Sequence, residues 1–312
     1  MNTTTIISGN MRVTVIVVTY NGSKWVEKCF ESLTQSSIKL DVIAIDNNSI
    51  DCTVDLIKEK YPSVTIIETG KNLGFGKANN IGINIAIDNN SDYIYLMNQD
   101  AWVENNSIEN LIKIQQKNPI YGIISPMQMN CEMTRIDKRL SVLCSEKHCP
   151  GLISDLYVNN LRDVYDISSV MAAHWLISKK CFMKIGGFAK IFKHYGEDDN
   201  YLNRVVYHGF RIGICPSVKA VHDRETRIKT LDSLVNGLEP LFLALSCNVN
   251  KNVIQSLILG FSFYIYKSIE IVNKSHSFNV LINLIIKPFI LVTRLPLVFR
   301  TRRLTKKGLL FP

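Results

Sequence analysis

The chain has 312 residues and a formal net charge of +9, with 46% hydrophobic and 20% charged residues. This length fits one large domain or a domain with an appendage, and the composition excludes wholesale disorder and fibrous repeats. After Glu270 there are eight Lys and Arg residues and no acidic one, which leaves +1 for the first 270 residues. The basicity therefore belongs to the C-terminus, and nucleic acid is not an expected partner.

Eight cysteines are scattered along a chain that has no secretory signal, and this predicts reduced, mostly buried thiols. A zinc site formed by Cys131, Cys144, His148 and Cys149 is the alternative, although the spacing matches no common zinc pattern. Residues 1–11 lack the basic start and long apolar core of a signal peptide, so we expect a short disordered lead.

Strand and helix patterns alternate over the first hundred residues. The predicted strands are 12–18, 41–45, 64–67 and 93–97, and the predicted helices are 23–36, 51–60 and 75–88. Near-continuous apolar strands that alternate with helices predict an α/β fold, with a mostly parallel sheet flanked by helices on both faces.

Beyond residue 120 the pattern loosens. Residues 126–165 are irregular, and a long connection of this kind usually carries function or covers a site. The elements predicted after it are a buried strand over 167–178, a loop that becomes a helix within 194–210, short strands at 211–215 and 218–222, and mostly helix over 232–272.

Polar clusters follow three of the predicted strands. They are Thr19-Tyr20-Asn21, Asp46-Asn47-Asn48 and Asn98-Gln99-Asp100. Because the ligand of such a sheet lies beyond the carboxyl ends of the strands, the three together favour a ligand site over separate turn or capping roles. Asp46 can accept a hydrogen bond from the N3–H of uracil or thymine, and Asp100 can hold a divalent ion that bridges two phosphates. The chain has no Gly-rich phosphate loop of the dinucleotide or P-loop kind, which leaves a metal more phosphate charge to neutralise.

Five motifs occur in order between residues 12 and 225. They read VIVVTYNG (15–22), VIAIDNNSIDCT (42–53), GKNLGFGKANNIGI (70–83), YLMNQDAWV (95–103) and GEDDNYLNRVVYHGF (196–210). Together they resemble glycosyltransferase family 2, particularly its bacterial rhamnosyltransferase-like branch. The resemblance implies a GT-A fold and an inverting transfer of sugar from a UDP- or dTDP-sugar to a hydroxyl of a glycan, lipid-linked and destined for surface polysaccharide such as O-antigen or capsule.

The resemblance assigns the donor side of the site residue by residue. Thr19, Tyr20 and Asn21 would line the nucleoside, and Asp46 would bind the base. Asn72 would lie near the ribose and the diphosphate.

The same resemblance implies Mg²⁺ or Mn²⁺ as cofactor. Asp100 matches the last position of the family's Asp-x-Asp metal motif, whose first position is Asn98 here. His222 matches a histidine that completes the metal site in some members. The Asn in place of Asp removes one charge from the motif.

The resemblance also assigns residues to the acceptor side of the site. A single-displacement transfer needs one carboxylate to take the proton of the attacking hydroxyl, and we assign this role to Asp198, with Glu197 orienting the acceptor. The alternative is that these acids merely favour a helix N-terminus. His174 and Trp175 lie where the family places acceptor-facing residues, although a buried Trp in a strand is more often core.

These assignments predict a GT-A catalytic domain over residues 12–230, with a nucleotide-binding half at 12–103 and an acceptor half at 104–230. Residues 231–312 form a helical extension. Its segment 277–312 interleaves cations with Leu, Ile and Phe and is interrupted before it reaches the length of a membrane span. We expect this segment to lie on the cytoplasmic face of the plasma membrane; the alternative is a helix packed on the catalytic domain.

Two other functions remain open. A sugar nucleotidyltransferase would need a Gly-rich loop bearing Arg or Lys after the first strand, and TYNGSKW is not one. An inactive membrane-bound glycan or nucleotide binder is the second, because Asn98 and Asn200 stand where carboxylates are expected.

Overall fold

A computed structural model describes residues 11–224, 230–275 and 278–308 of the chain. The predicted lead over residues 1–11 lies almost wholly outside the described residues. The described strands are β1 (Val13–Thr19), β2 (Asp41–Asp46), β3 (Thr65–Glu68), β4 (Tyr93–Asn98), β5 (Ala101–Val103), β6 (Tyr121–Met129), β7 (Tyr165–Asp166), β8 (His174–Ser178) and β9 (Arg211–His222).

Helices connect these strands and follow the last of them. Those in the described residues are α1 (Ser23–Thr34), α2 (Thr53–Lys60), α3 (Phe75–Asp88), α4 (Ser107–Lys117), α5 (Lys138–Leu143), α6 (Leu152–Tyr157), α7 (Lys179–Ile185), α8 (Glu197–Tyr207), α9 (Leu231–Asn236), α10 (Leu238–Ser246), α11 (Val253–Ser275), α12 (Phe278–Thr293) and α13 (Leu295–Lys307).

The strands form one sheet in the order β3-β2-β1-β4-β8-β6-β9-β5, and β7 pairs with β9. Strands β1 to β4 are parallel to one another, as predicted. Strand β8 runs antiparallel to both β4 and β6, so the sheet is mixed and the prediction of a mostly parallel sheet is corrected. An apolar run shows that a strand is buried but carries no information about its direction.

The elements of the first hundred residues lie where they were predicted, within three residues. The later predictions are less accurate. Strand β6 and helix α4 were not predicted, and only His174–Ser178 of the predicted strand 167–178 is extended. The two short strands predicted at 211–215 and 218–222 are one strand, whose register against β6 shifts next to Pro216, a residue that lacks an N–H for the ladder.

Apolar residues cover both faces of the sheet, since successive side chains of a strand point to opposite sides. Ile16 belongs to the cluster under α3, whereas Val17 belongs to the cluster under α1. The expected α/β layering is therefore confirmed.

The side chain of Asn80 connects α3 to the loop that leads to α8. Asn80 of α3 donates to the carbonyl of Phe188 over 2.9 Å and accepts from the N–H of Phe188 over 2.6 Å. Gly74, at φ +81°, lies so close to the Lys193 carbonyl that a Cβ there would collide with it. The loop that leads to α8 is thus held against the start of α3.

The extension packs on the catalytic part of the chain. Phe192 lies in one apolar cluster with Phe242, Leu291 and Val298 of α10, α12 and α13. His208 at the end of α8 hydrogen-bonds to the Thr305 carbonyl over 2.8 Å. Among the described residues, no helix combines the length and the apolarity that crossing a bilayer requires.

Four of the eight tail cations have partners within the described residues, and Lys274 pairs with Glu270 at 2.7 Å. Lys287 donates to the Val235 carbonyl, and Arg294 pairs with Glu239 at 2.9 Å. Arg302 is 3% exposed, and its guanidinium donates to three carbonyls and a hydroxyl around the start of α11. Burial lowers the pKa of this guanidinium. These contacts hold part of the tail against the fold, and the expected membrane contact of segment 277–312 stays a prediction.

The eight cysteines are free thiols and six of them are buried, as predicted. His148 hydrogen-bonds to Ser168 over 2.9 Å. Within the described ranges, no three His, Cys, Asp or Glu side chains converge as a ligand set, so the zinc alternative has no support.

We expect Arg302→Met to lower the free energy of unfolding by about 3 kcal/mol, because hydrogen bonds from a charged donor contribute about 1.5–3 kcal/mol and the carbonyls left behind stay buried. The exposed neighbour Arg303 provides the matched control, Arg303→Met. Chemical denaturation measures both variants, and an equal loss of stability in the two would contradict the structural role of Arg302.

Candidate active site

A cleft of about 290 Å³ opens beyond the carboxyl ends of β1 and β4. The strand order reverses at this point, and such a switch is where open α/β sheets place their ligands. Half of the predicted site residues line the cleft, namely Tyr20, Asn98, Asp100, Glu197, Asp198 and His222. A second cleft of about 360 Å³, beside Phe30 and Val64, contains none of them.

Asp46 is 2% exposed and joins the ends of β1 and β2. Its carboxylate accepts from the Thr19 hydroxyl over 2.8 Å, from the Ser49 N–H over 2.8 Å and from the Ser49 hydroxyl over 2.6 Å. Thr19 is itself 1% exposed, so it positions Asp46 and does not line the cleft, which corrects its predicted role. The contact of Asp46 with a base stays a prediction.

Tyr20 is held by Gln99, a residue of the third polar cluster to which we assigned no role. The Tyr20 N–H donates to Gln99 Oε1 over 2.8 Å, and Gln99 Nε2 donates to the Tyr20 carbonyl over 3.1 Å. A Cβ at Gly22 would lie 2.2 Å from Gln99 Oε1, so this bridge requires the glycine. The Tyr20 side chain is thereby presented to the cleft, with 45% of the residue exposed.

Asn21 and Asn72 shape the neighbouring loops. Asn21 has φ +46° and accepts from the N–H of Ile50 over 2.9 Å. Asn72 is exposed and accepts from the N–H of Gly74 over 2.9 Å. Neither lines the cleft, so their roles toward nucleoside, ribose and diphosphate stay predictions.

Asp100, His222 and Asn98 meet at one corner of the cleft. His222 Nε2 lies 3.7 Å from Asp100 Oδ1 and 3.4 Å from Asn98 Nδ2. Asn98 Oδ1 is buried and has no hydrogen-bond partner among the described residues. These residues offer three metal ligands: one carboxylate, one imidazole and an amide oxygen to which no described residue donates. Mg²⁺ and Mn²⁺ accept such ligands and take the remaining ones from phosphate and water. The residues present therefore fit a divalent ion.

Glu197 and Asp198 begin α8 on the opposite wall, after Gly196 at φ +81°. Acidic residues in the first turn stabilise the N-terminus of a helix. Glu197 and Asp198 therefore also have the alternative role of stabilising the start of α8. Glu197 is 6% exposed, and its Oε2 has no partner within the described part of the chain. Burial and the neighbouring Asp198 raise the pKa of Glu197 to about 7.

Asp198 is half-buried and faces the cleft. Burial and the neighbouring Asp199 raise its pKa to about 6, against the opposing charge of Arg139. Asp199 does not line the cleft and accepts instead from the Ser169 hydroxyl over 3.2 Å. This geometry favours Asp198 as the carboxylate that meets a ligand.

The predicted acceptor contacts of His174 and Trp175 are wrong, because both residues are 0% exposed. His174 hydrogen-bonds to the Tyr95 hydroxyl and to the Val221 carbonyl, each over 2.8 Å, and burial lowers its pKa to about 4. Trp175 stacks on Phe188 inside the core. The core interpretation of this tryptophan is the correct one.

A family model described as Glycosyl transferase family 2 matches residues 14–186, which is more than half of the chain. The chain belongs to this family. Its transferase class follows from the family and from named hexosyl- and rhamnosyltransferase relatives.

Two relatives align over most of their length. The low-salt glycan biosynthesis hexosyltransferase Agl10 of Haloferax volcanii is 23% identical over 253 residues, which cover 77% of this chain and 78% of Agl10. The N-acetylglucosaminyl-diphospho-decaprenol L-rhamnosyltransferase of Mycobacterium tuberculosis is 25% identical over 238 residues, which cover 67% of this chain and 75% of that enzyme.

A solved structure supports the fold. The mannosyltransferase PcManGT of Pyrobaculum calidifontis, solved with GDP-Man and Mn²⁺, superimposes with a TM-score of 0.59 at 16% identity, over 96% of this chain and 85% of PcManGT. Family and likeness together establish a GT-A fold built on a mixed sheet.

Sequence reasoning on this glycosyltransferase missed the three basic side chains Arg139, His194 and Arg224, which line the cleft. His194, to which the sequence analysis gave no functional role, is exposed on the cleft wall. Arg139 lies in the irregular segment 126–165, and the association of long connections with function was the one available signal for it.

The raised pKa of Glu197 makes folding pH-dependent. Its ordinary value is 4.5 and the folded value is about 7, so the stabilisation by the neutral carboxyl is present below pH 4.5 and is lost as the pH rises through about 7. We expect Glu197→Gln, which cannot ionise, to be more stable than the wild type at pH 8 by up to about 3 kcal/mol. The difference should vanish near pH 4.5.

Denaturant unfolding of both proteins at a series of pH values measures this difference. The exposed Glu59 supplies the control Glu59→Gln, which should show no such trend. A Glu197→Gln variant that is less stable than the wild type at pH 8 would show that Glu197 is stabilised as a carboxylate.

Proposed function

We propose that this glycosyltransferase moves a sugar from a UDP- or dTDP-sugar to a hydroxyl of a glycan, with inversion at the anomeric carbon. One observation carries the proposal. The group of Asp100, His222 and Asn98 faces the same cleft as Glu197 and Asp198 on the opposite wall. A transfer reaction needs a bound cation beside the departing diphosphate and a base beside the incoming hydroxyl. The first group of residues can bind the cation, and the second group supplies the base.

In the proposed reaction the acceptor oxygen attacks the anomeric carbon from the face opposite the diphosphate. The new C–O bond forms as the bond to the diphosphate oxygen breaks, and that oxygen leaves with the electron pair. Asp198 takes the proton of the attacking hydroxyl. With a pKa of about 6, it is ionised at neutral pH and more basic than an ordinary carboxylate.

Glu197 is proposed to orient the acceptor. Its pKa of about 7 leaves it partly protonated at neutral pH, so it can donate a hydrogen bond as well as accept one. Its low exposure argues against the role of base, which must reach the acceptor hydroxyl.

Asp100, His222 and Asn98 are proposed to hold Mg²⁺ or Mn²⁺, which would neutralise charge on the leaving diphosphate. Mn²⁺ in PcManGT supports this assignment. Because Asn98 carries no charge, we expect the site to bind its ion more tightly with the nucleotide diphosphate than alone.

The acceptor is proposed to be a lipid-linked glycan in the synthesis of a bacterial surface polysaccharide such as O-antigen or capsule. The name of the mycobacterial relative, which contains a diphospho-decaprenol, supports a lipid-linked acceptor. We retain the division into a catalytic domain over 12–230 and a helical extension over 231–312, and we propose that the extension places the enzyme on the cytoplasmic face of the plasma membrane.

Exposed isoleucines on α11 support this location. Ile254, Ile258, Ile265 and Ile269 are each more than half exposed and lie on one side of the helix, since their spacings of four, seven and four residues repeat with the helical period. The opposite side, with Tyr264, packs inward. An apolar helix face on a chain with a basic end suits the interface of an anionic membrane.

The transfer proposal is tested by thermal unfolding with UDP or dTDP, in the presence of Mn²⁺, Mg²⁺ or a chelator. A ligand at 100 times its Kd adds about 2.7 kcal/mol of stability. We expect metal-dependent stabilisation by one of the two nucleotides in the wild type and in Asp198→Asn, but not in Asp100→Asn.

Asp198→Asn should reduce transfer by about 10²- to 10⁴-fold while it still binds nucleotide. Absence of stabilisation by both nucleotides would overturn the proposal. Full activity of Asp198→Asn would assign the base to another residue.

The membrane proposal is tested with point variants, because α13 is packed into the fold and its deletion would disturb more than the surface. We expect Ile258→Glu/Ile265→Glu to reduce binding to phosphatidylglycerol vesicles at least tenfold, since each buried Ile contributes about 1.5–3 kcal/mol. Ile50→Glu, at an 87% exposed position on the catalytic part, is the control. Equal vesicle binding by all three proteins would rule out this surface.

A further inference from the structure

Arg139 is a cation on the cleft wall that has no bonded partner. It follows the start of α5, it is exposed, and it lines the same cleft as Asp100 and Asp198. Its guanidinium makes no hydrogen bond or ion pair with any described residue; only its backbone N–H is engaged, with Asp137. The side chain is therefore available to a ligand.

The backbone of Arg139 is fixed in position. Asp137, which is 1% exposed, accepts from the N–H groups of Arg139 and Leu140 over 2.8 and 3.0 Å. The same carboxylate accepts from Arg224 Nε and Nη2 over 2.8 and 2.7 Å. Arg224 lies two residues beyond His222, so this ion pair ties the start of α5 to the end of β9, beside the proposed metal corner.

Burial opposes ionisation of Asp137, but the hydrogen bonds from Arg224 and Leu140 lower its pKa. Asp137 therefore stays ionised, and Arg224 is occupied by it. Of the two described arginines that line the cleft, Arg139 is the one whose guanidinium makes no hydrogen bond or ion pair with a described residue, although its charge lowers the pKa of Asp198.

A guanidinium matches a phosphate with two parallel hydrogen bonds, and it keeps its charge at any working pH. The sequence has no Gly-rich phosphate loop, and Asn98 stands where the family's metal motif has an Asp. A second cationic contact would therefore help to bind and neutralise a phosphate group.

We propose that Arg139 binds a phosphate group of a substrate in this cleft. The inference rests on the proposed function, in which two substrates carry a diphosphate: the nucleotide-sugar donor and the lipid-linked acceptor. The chemistry recognised is the same in both cases, and binding measurements distinguish the two sources.

The test compares wild type, Arg139→Ala, Arg139→Lys and the control Lys138→Ala, which changes the exposed neighbour outside the cleft. Calorimetry with Mn²⁺ measures the Kd of UDP and dTDP, and calorimetry with farnesyl diphosphate probes the acceptor. We expect Arg139→Ala to weaken one probe at least tenfold, Arg139→Lys to weaken it less, and Lys138→Ala to stay within twofold of wild type.

A loss confined to the nucleotides assigns Arg139 to the donor, with a raised KM for the sugar nucleotide. A loss confined to farnesyl diphosphate assigns it to the acceptor. If wild type binds a nucleotide and Arg139→Ala binds both probes as wild type does, the inference is overturned and the proposed function stands. If wild type binds no nucleotide, the proposed function fails and the inference falls with it.

Discussion

The geometry of the cleft depends on the amide of Asn80. Its two hydrogen bonds to the backbone of Phe188 connect α3, in the first half of the sheet, to the loop that leads to α8. Removing the amide would leave two buried backbone groups unsatisfied, at about 1–3 kcal/mol each. Because Asp100 follows β4 and Asp198 lies on α8, this contact helps to hold the two acids on opposite sides of the cleft.

Burial has different consequences for the acids of this site because their hydrogen bonds differ. Asp46 is buried, and its side chain accepts three hydrogen bonds that join the ends of β1 and β2. Glu197 is also buried, but Oε2 has no partner among the described residues and an acid lies next to it, so its proton is held more tightly. The two buried acids thus differ in the number of hydrogen-bond donors that surround them.

The elements up to β4 could be predicted because their signals are local: short apolar runs, helical spacing, and polar clusters where the strands end. The direction of β8 and the burial of Trp175 could not, since they depend on β4, Phe188 and Tyr201. The motif resemblance found Asp198 and Asp100, which the cleft brings together. It did not find Arg139, because an ion pair between Asp137 and Arg224, 87 residues apart, places that residue.

The helices of the extension also pack behind α8, the helix that carries Glu197 and Asp198. Gly196, the residue immediately before α8, lies so close to Pro240 of α10 that a Cβ at Gly196 would come within 2.8 Å of the Pro240 carbonyl oxygen. A chain cut before α10 would therefore expose the back of the turn that presents Glu197 and Asp198. The catalytic part and the extension therefore have to match at this contact. Replacing the extension with that of a relative would succeed only where the new helix leaves the same space behind Gly196.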